Sequence, residues 1–458
     1  MVRSAFRLST VAASEAQPRL FLQQCRVPST GFANVRAVTA RGCARAVVVG
    51  CLLVFAPTAP AQTTTPAVVD GDLTVGAGAT LAVAAGDLVA RAEHIVVPDR
   101  VLDERGAGRR TANIAYRSAK LFLFDRPQEA WLMVTNHEVF GHGGRVRELF
   151  DGYLRFHIDV PEPYGDGGGV TLYSPDRDAT VHELQAITIA GMEANAVGAA
   201  SLSRRAFVEQ RLTPRAALRY LEFGLDAFDY MRHTRDEGER AGHDVADFLV
   251  LYNLVGDFVG AEPLTASTLR RETWINLANP MVASAAFTIV RYLATGAEET
   301  GVFVLPLGGW RVMPGMRYGL TPFGTEWELT TDVAYQSRSG EVAFRLGRAP
   351  LTSPWGLALM INAIAVRGWR IDLGGELWRQ PPLALGARPD FGVDAIGEDL
   401  GWGGAVRSRI ESPAIPKGPL PATVIVDVGV KTSGFVKGDP LDGGLVLRAG
   451  LGLPLGRR

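Results

Sequence analysis

Near residue 300 the hydrophobic period of the chain changes, and this change sets what the chain can fold into. On the C-terminal side the period is two. Trp327, Leu329, Val333 and Tyr335 alternate with Glu326, Glu328, Thr330 and Asp332. The runs 424–431 and 445–453 alternate in the same way, and similar segments lie near 341–347, 355–366 and 368–378. Successive side chains of a strand point to opposite faces, so this pattern predicts antiparallel strands joined by Gly/Pro turns. From about 111 to 298 the pattern is helical instead. Asp125 with Gln128 three residues on resembles a capping box that opens a helix through the 130s. A second helix is expected over 180–203. Thr213-Pro214 opens a third, and a fourth and fifth cover 244–259 and 264–294. The stretch 274–290 is apolar enough to suggest a membrane span, but Asn276, Asn279, Pro280 and Arg291 favour a buried core helix.

The expected fold class is therefore α+β: an all-helical metal-binding domain (111–298) followed by a C-terminal antiparallel β-barrel or β-sandwich (299–458). Residues 62–110 read as a linker with short Gly/Ala/Val-rich strands, such as 73–83. Alternation alone cannot separate a soluble sandwich from an outer-membrane barrel. Six of the eight tryptophans (Trp310, Trp327, Trp355, Trp369, Trp378, Trp402) fall in this third of the chain, as interfacial girdles would require. The end, Leu455-Gly456-Arg457-Arg458, lacks the terminal aromatic of many such barrels. The membrane barrel is placed slightly ahead.

Residues 1–61 read as a signal peptide. Arg41 and Arg45 precede the apolar run 46–56, and Ala59-Pro60-Ala61 supplies small residues for cleavage before Gln62. The forty residues ahead of Arg41 are long for such a segment, so the true start is expected to lie later. The chain is then exported, to the periplasm or the outer membrane. Cys51 has a faint lipoprotein-box context but sits inside the apolar run. This segment holds seven Arg and one Glu, so the rest of a chain of net charge -1 carries -7. That balance argues against a nucleic-acid partner. All three cysteines (Cys25, Cys43, Cys51) precede residue 62, so a metal beyond that point must be held by His, Asp or Glu.

One hexapeptide supplies such ligands: His137-Glu138-Val139-Phe140-Gly141-His142. In the usual zinc helix two histidines four apart share a face, with a glutamate beside the first. Here they are five apart. An ideal helix would turn the second imidazole off that face. Gly141 lets the backbone absorb the extra residue as a π-type bulge before His142, and Gly143 and Gly144 are expected to end the helix. Glu138 is the expected general base, accepting a proton from a water that the zinc ion activates.

The third ligand expected is Glu193, a carboxylate on an otherwise apolar helix face with Ile189, Met192, Ala196 and Val197. A salt bridge from Glu193 to Arg145 or Arg147 is the competing explanation. His182 and Glu183 are rivals on the same helix, with His182 expected at the surface. His243 and Asp247, four apart, could stabilise an oxyanion and orient a histidine; helix capping and solvation are the plainer account. Arg145 could bind a substrate carboxylate or phosphate, or make a structural ion pair. Gly165-Asp166-Gly167-Gly168-Gly169 lacks a Lys-Ser/Thr pair and reads as a flexible loop rather than a phosphate cradle.

The pattern His-Glu-x-x-Gly-His-Gly resembles the zinc motif of the dipeptidyl-peptidase III family of metallopeptidases, which shares the five-residue spacing. That resemblance implies His137, His142 and Glu193 as ligands and Glu138 as general base. Met192, Asn195 and Val197 depart from the family's second motif, and the match covers about sixty residues. The expected function is a secreted zinc-dependent hydrolase of peptides or other small hydrolysable substrates. The alternatives are a non-catalytic outer-membrane structural or transport protein with a structural metal, and a soluble periplasmic binding protein.

Overall fold

The computed structural model describes residues 64–97, 106–235, 243–336, 338–386, 400–415 and 422–453. The expected signal segment with its cysteines, and the last five residues, lie outside these. Strand β1 (Thr65–Val69) leads into helix α1 (Val75–Val96), which occupies the stretch expected to form short strands. Gly78, Ala82 and Gly86 recur every four residues along it and are all buried. A Cβ at Gly78 would stand 2.2 Å from Phe140. Close packing of this small-residue stripe overrides the poor helix propensity of its glycines and valines.

Helix α2 (Ala107–Lys120) passes through a π-helical turn (Leu121–Asp125) into α3 (Arg126–Thr135), a second π-helical turn (Asn136–His142) and α4 (Gly143–Leu149). Two expectations are corrected here. Asp125 caps nothing; its carboxylate takes Lys120 Nζ at 3.1 Å and Arg215 at 3.1 Å. Gly143 and Gly144 do not end the helix, because Gly143 is pressed against the Phe156 ring, where only a glycine fits, and the turns continue to Leu149. The region is not all-helical either: β2 (Tyr153–Ile158) and β3 (Gly169–Ser174) form a hairpin after α4. The glycine loop 165–169 closes this hairpin.

Helix α5 (Val181–Glu209) is opened by a capping box, with Thr180 Oγ1 accepting from Glu183 N at 3.2 Å and Glu183 accepting from Thr180 N at 2.9 Å. Helix α6 (Pro214–Gly224) starts at Thr213-Pro214 as expected; α7 (Asp226–His233) follows, and α8 (Asp244–Val259) has the expected bounds. The expected fifth helix is broken. Helix α9 (Ala266–Glu272), a 3-10 turn (Thr273–Ala278) and α10 (Pro280–Thr295) bend by 63° at Asn279-Pro280, where Pro280 cannot continue the preceding turn.

The remaining strands are β4 (Leu305–Leu307), β5 (Trp310–Thr321), β6 (Gly324–Tyr335), β7 (Arg338–Arg348), β8 (Trp355–Val366), β9 (Trp369–Gln380), β10 (Gly401–Glu411), β11 (Thr423–Lys431) and β12 (Gly444–Leu453). Each pairs antiparallel with its sequence neighbour, and β1 is added beyond β12, so the described residues form one ten-stranded sheet. Among the described residues no pairing joins β1 to β4, and the only other sheet is the two-stranded β2–β3 hairpin. The barrel-or-sandwich expectation thus becomes a single open antiparallel sheet.

That sheet is curled. Lys437, between β11 and β12, pairs with Glu326 at 2.8 Å and Glu328 at 2.9 Å on β6. Strand β6 lies five places from β11, about 24 Å on a flat sheet at roughly 4.8 Å per strand. The concave side holds α5: Arg204 pairs with Glu341 of β7 at 2.6 Å, and Arg317 of β5 donates to Ala196 O at 2.9 Å.

Candidate metal centre

The π-helical turn brings the motif together. Widening the backbone by one residue at Asn136–His142 returns His142 to the face of His137, so the five-residue spacing behaves as the expected bulge. Ligating atoms of His137, Glu138 and His142 lie within 4.8 Å of one another, and all three residues are buried. Gly141 packs against α5, where its Cβ would meet Gly191 Cα at 2.5 Å. Gly191 in turn makes room for the His137 ring.

The acid that meets both histidines is Asp244, the first residue of α8. Its Oδ2 lies 2.8 Å from His137 Nε2 and 3.2 Å from His142 Nε2. The other ring nitrogens are committed elsewhere. His137 Nδ1 donates to Asp226 Oδ2 at 3.0 Å, and His142 Nδ1 donates to the Ile187 carbonyl at 2.7 Å. Asp226 also accepts from Asn195 Nδ2 at 2.9 Å, and Asn195 Oδ1 accepts from Asn136 Nδ2 at 2.8 Å. With each Nδ1 engaged by an outer partner, both Nε2 atoms face one point, the usual arrangement of metal-binding histidines.

The electrostatics agree. Burial works against a charged imidazole, yet Asp226 and Asp244 outweigh it and hold His137 well above the ordinary histidine range. Against the same burial penalty, Asp244 also raises His142. Burial would raise Asp244, but the two histidines hold its carboxyl well below the usual range. Carboxylate oxygen and imidazole lone pairs stay this close only with positive charge between them. Protons supply it here, and a divalent cation fits the same donor set.

Glu138 stands beside the cluster with its carboxylate accepting from Thr171 Oγ1 of β3 at 2.7 Å. Tyr230 of α7 stacks on the His137 ring, with centroids 5.2 Å apart. Burial, Asp244, Asp226 and Glu138 together hold its phenol well above its ordinary range, so it remains a proton donor. The Asp244 side chain, 16 % exposed, is where the cluster meets solvent.

Glu193 is not brought to the histidines. Arg145 Nη2 meets Glu193 Oε1 at 2.5 Å, Arg145 Nε meets Oε2 at 3.2 Å, and Gly438 N donates to Oε1 at 2.8 Å. The ion-pair alternative therefore holds for both Glu193 and Arg145, which also pairs with Glu148 at 2.6 Å. A buried carboxylate needs a cation, and here the guanidinium supplies it. His182 is buried rather than at the surface, its Nδ1 accepting from Ala384 N at 3.0 Å. Glu183 serves the capping box and Arg177. His243 precedes α8 and touches Tyr230 edge-on at 5.4 Å, one ring removed from the imidazoles. The carboxylates that orient the histidines are Asp226 and Asp244, not Asp247. Asp244 is not singled out by its sequence context, although it stands between His243 and Asp247 and opens a helix. Asp226 and Tyr230 carried no local signal beyond the break after Gly224.

Comparison with family models, curated proteins and solved structures finds no match to this chain.

Proposed function

We propose that the chain is a zinc-dependent hydrolase whose metal is held by His137, His142 and Asp244, with Glu138 as general base. The reading rests on one observation: Asp244 Oδ2 sits between the Nε2 atoms of two histidines whose Nδ1 atoms are both engaged elsewhere. Three protein ligands of this type are the usual complement of a catalytic zinc site, which keeps a further position open. Bound there, zinc supplies Lewis acidity, polarising a carbonyl and making water more acidic. The chain does the rest. Glu138, held by Thr171, accepts the proton from the attacking water and returns it to the leaving group. Asp226 and the Ile187 carbonyl fix the two rings. The Tyr230 phenol donates toward the charge that develops on the substrate oxygen. Peptides are the proposed substrate class, on the strength of the motif's resemblance.

A second reading follows from Glu138 lying within ligand distance of the cluster. As a fourth ligand it would close the site and make the metal structural. Zinc content and hydrolysis of a mixed peptide library, measured on the same samples, decide between the two. Asp244→Asn and His142→Ala should lose zinc. Glu138→Gln should keep zinc and lose roughly a hundred- to ten-thousandfold in rate. Loss of zinc from Glu138→Gln would favour the structural site, and stoichiometric zinc in Asp244→Asn would remove the ligand assignment.

A further inference from the structure

The curled sheet is inverted relative to a water-soluble one. Charged side chains line its concave face and pair there, as with Arg407 and Glu376 at 3.2 Å or Arg409 and Asp427 at 2.7 Å. On the convex face the register runs in apolar rows. One row passes from Ile361 through Leu373, Ser408 and Val428 to Leu447. Another passes from Val342 through Leu359, Gly375, Val406 and Val430 to Leu445. Val406 is 69 % exposed and Leu445 69 %. Between the strand ends the convex positions of β6 to β12 carry no charge; Arg338, Arg348 and Arg379 stand at the ends.

Aromatic side chains mark both rims. Trp310, Tyr335 and Trp369 lie at one end of the strands. Trp355 and Trp402 lie at the other, both flanking Arg379 of β9. Ten residues of β9 separate Trp369 from Arg379. At about 3.3 Å per residue and a tilt of about 40°, that is roughly 25 Å between rims, the height of an outer-membrane apolar band. Seven strands at about 4.8 Å each, with about 33 Å of strand between the rims, make this band roughly 1,100 Å², larger than the few hundred Å² that water-soluble monomers expose. A second copy presents the same outward curve and would touch along a line, whereas a fluid apolar solvent follows the curve.

Side chains of the helices also satisfy backbone groups on the two edges of the sheet, as lipid requires. Asn276 accepts from Tyr318 N at 2.7 Å and donates to Tyr318 O at 3.0 Å, and Asn279 donates to Met316 O at 3.1 Å, all along β5. On β1, Val68 N donates to Thr80 Oγ1 of α1 at 3.2 Å. We propose that the convex face of this sheet is immersed in the hydrocarbon of a lipid bilayer, with the helices held inside the curl.

The test uses the full chain diluted from urea into dimyristoylphosphatidylcholine vesicles, with a parallel set carrying bromine on the acyl chains. The expected result is protein that floats with the vesicles after an alkaline wash and loses tryptophan emission to the brominated lipid. Two variants on the same face of β11 read depth. Val428→Arg, at mid-band, should lower the equilibrium constant for folding into the vesicles roughly 30- to 900-fold, and Val424→Arg, at the rim, less than about fivefold. A wild-type chain that folds as a monomer in buffer without vesicles, with emission indifferent to bromine, would overturn the proposal. So would a dimer in buffer that Val428→Arg turns into monomers, which would assign the face to a second copy.

Discussion

His182 shows how one buried side chain sets a pH limit on stability. Burial pushes its imidazole down to about 4, and its Nδ1 must stay unprotonated to accept from Ala384 N. The unfolded chain titrates this group near 6.5. Between those values the unfolded state binds the extra proton, so stability rises with pH across the window and falls on acidification, by about 3 kcal/mol at most. His182→Asn keeps an acceptor near the Nδ1 position but cannot be protonated. Urea midpoints at pH 7 and pH 5 should drop less in His182→Asn than in wild type, and equal drops would show that His182 does not carry the effect. At this scale legibility depends on how many explanations a residue admits. His137, Glu138 and His142 were legible because residue type and spacing carried one chemistry. Glu193 was misread because a carboxylate on an apolar helix face is satisfied equally well by a metal or by an arginine, and only the tertiary fold brings Arg145 to it.

Among elements, the crossing of the second π-helical turn with α5 is the tightest constraint on the site. A Cβ on Gly191 would stand 2.1 Å from His137 Nε2, the atom that faces Asp244. Gly191→Ala therefore has to move the imidazole rather than unfold the helix, since alanine favours helix over glycine by roughly 1 kcal/mol. The expected outcome is an unchanged far-ultraviolet circular dichroism spectrum with zinc affinity down at least tenfold; wild-type affinity would mean the ring does not bind the metal from this position. The bulge was legible in Gly141 and the five-residue spacing. Helix α1 was not, because its Gly/Ala/Val composition is ambiguous locally and its buried stripe matters only once Phe140 packs against it. Strands were the most legible elements, since alternation reports directly on their two faces. Which face meets solvent was not legible, because alternation has no sign until the helices occupy one side.

At the scale of the molecule, the candidate site joins segments far apart in sequence: Asp244 lies 107 residues from His137 and 102 from His142. A metal held there would bind the folded chain and not the unfolded one. Free zinc at a hundred times its dissociation constant would add about 2.7 kcal/mol to stability. Thermal unfolding of the full chain should move to lower temperature on chelation with EDTA and recover on adding zinc, and the Asp244→Asn midpoint should not move. A midpoint indifferent to EDTA in the wild-type chain would argue against a resident metal.

The pairing of β1 with β12 also dictates an order of events. Thr65 faces Leu453 across that ladder, and Asp70 just beyond β1 accepts from Arg448 of β12 at 3.1 Å. The earliest strand of the sheet therefore has no partner until the latest one has been made. While synthesis and any translocation proceed, β1 and the start of α1 must wait. Closing a loop of this length before its contacts form is entropically slow. The helices around the motif can associate early, but the β1–β12 seam cannot form before β12 is made, and a nascent chain stalled before β12 would leave β1 without that partner.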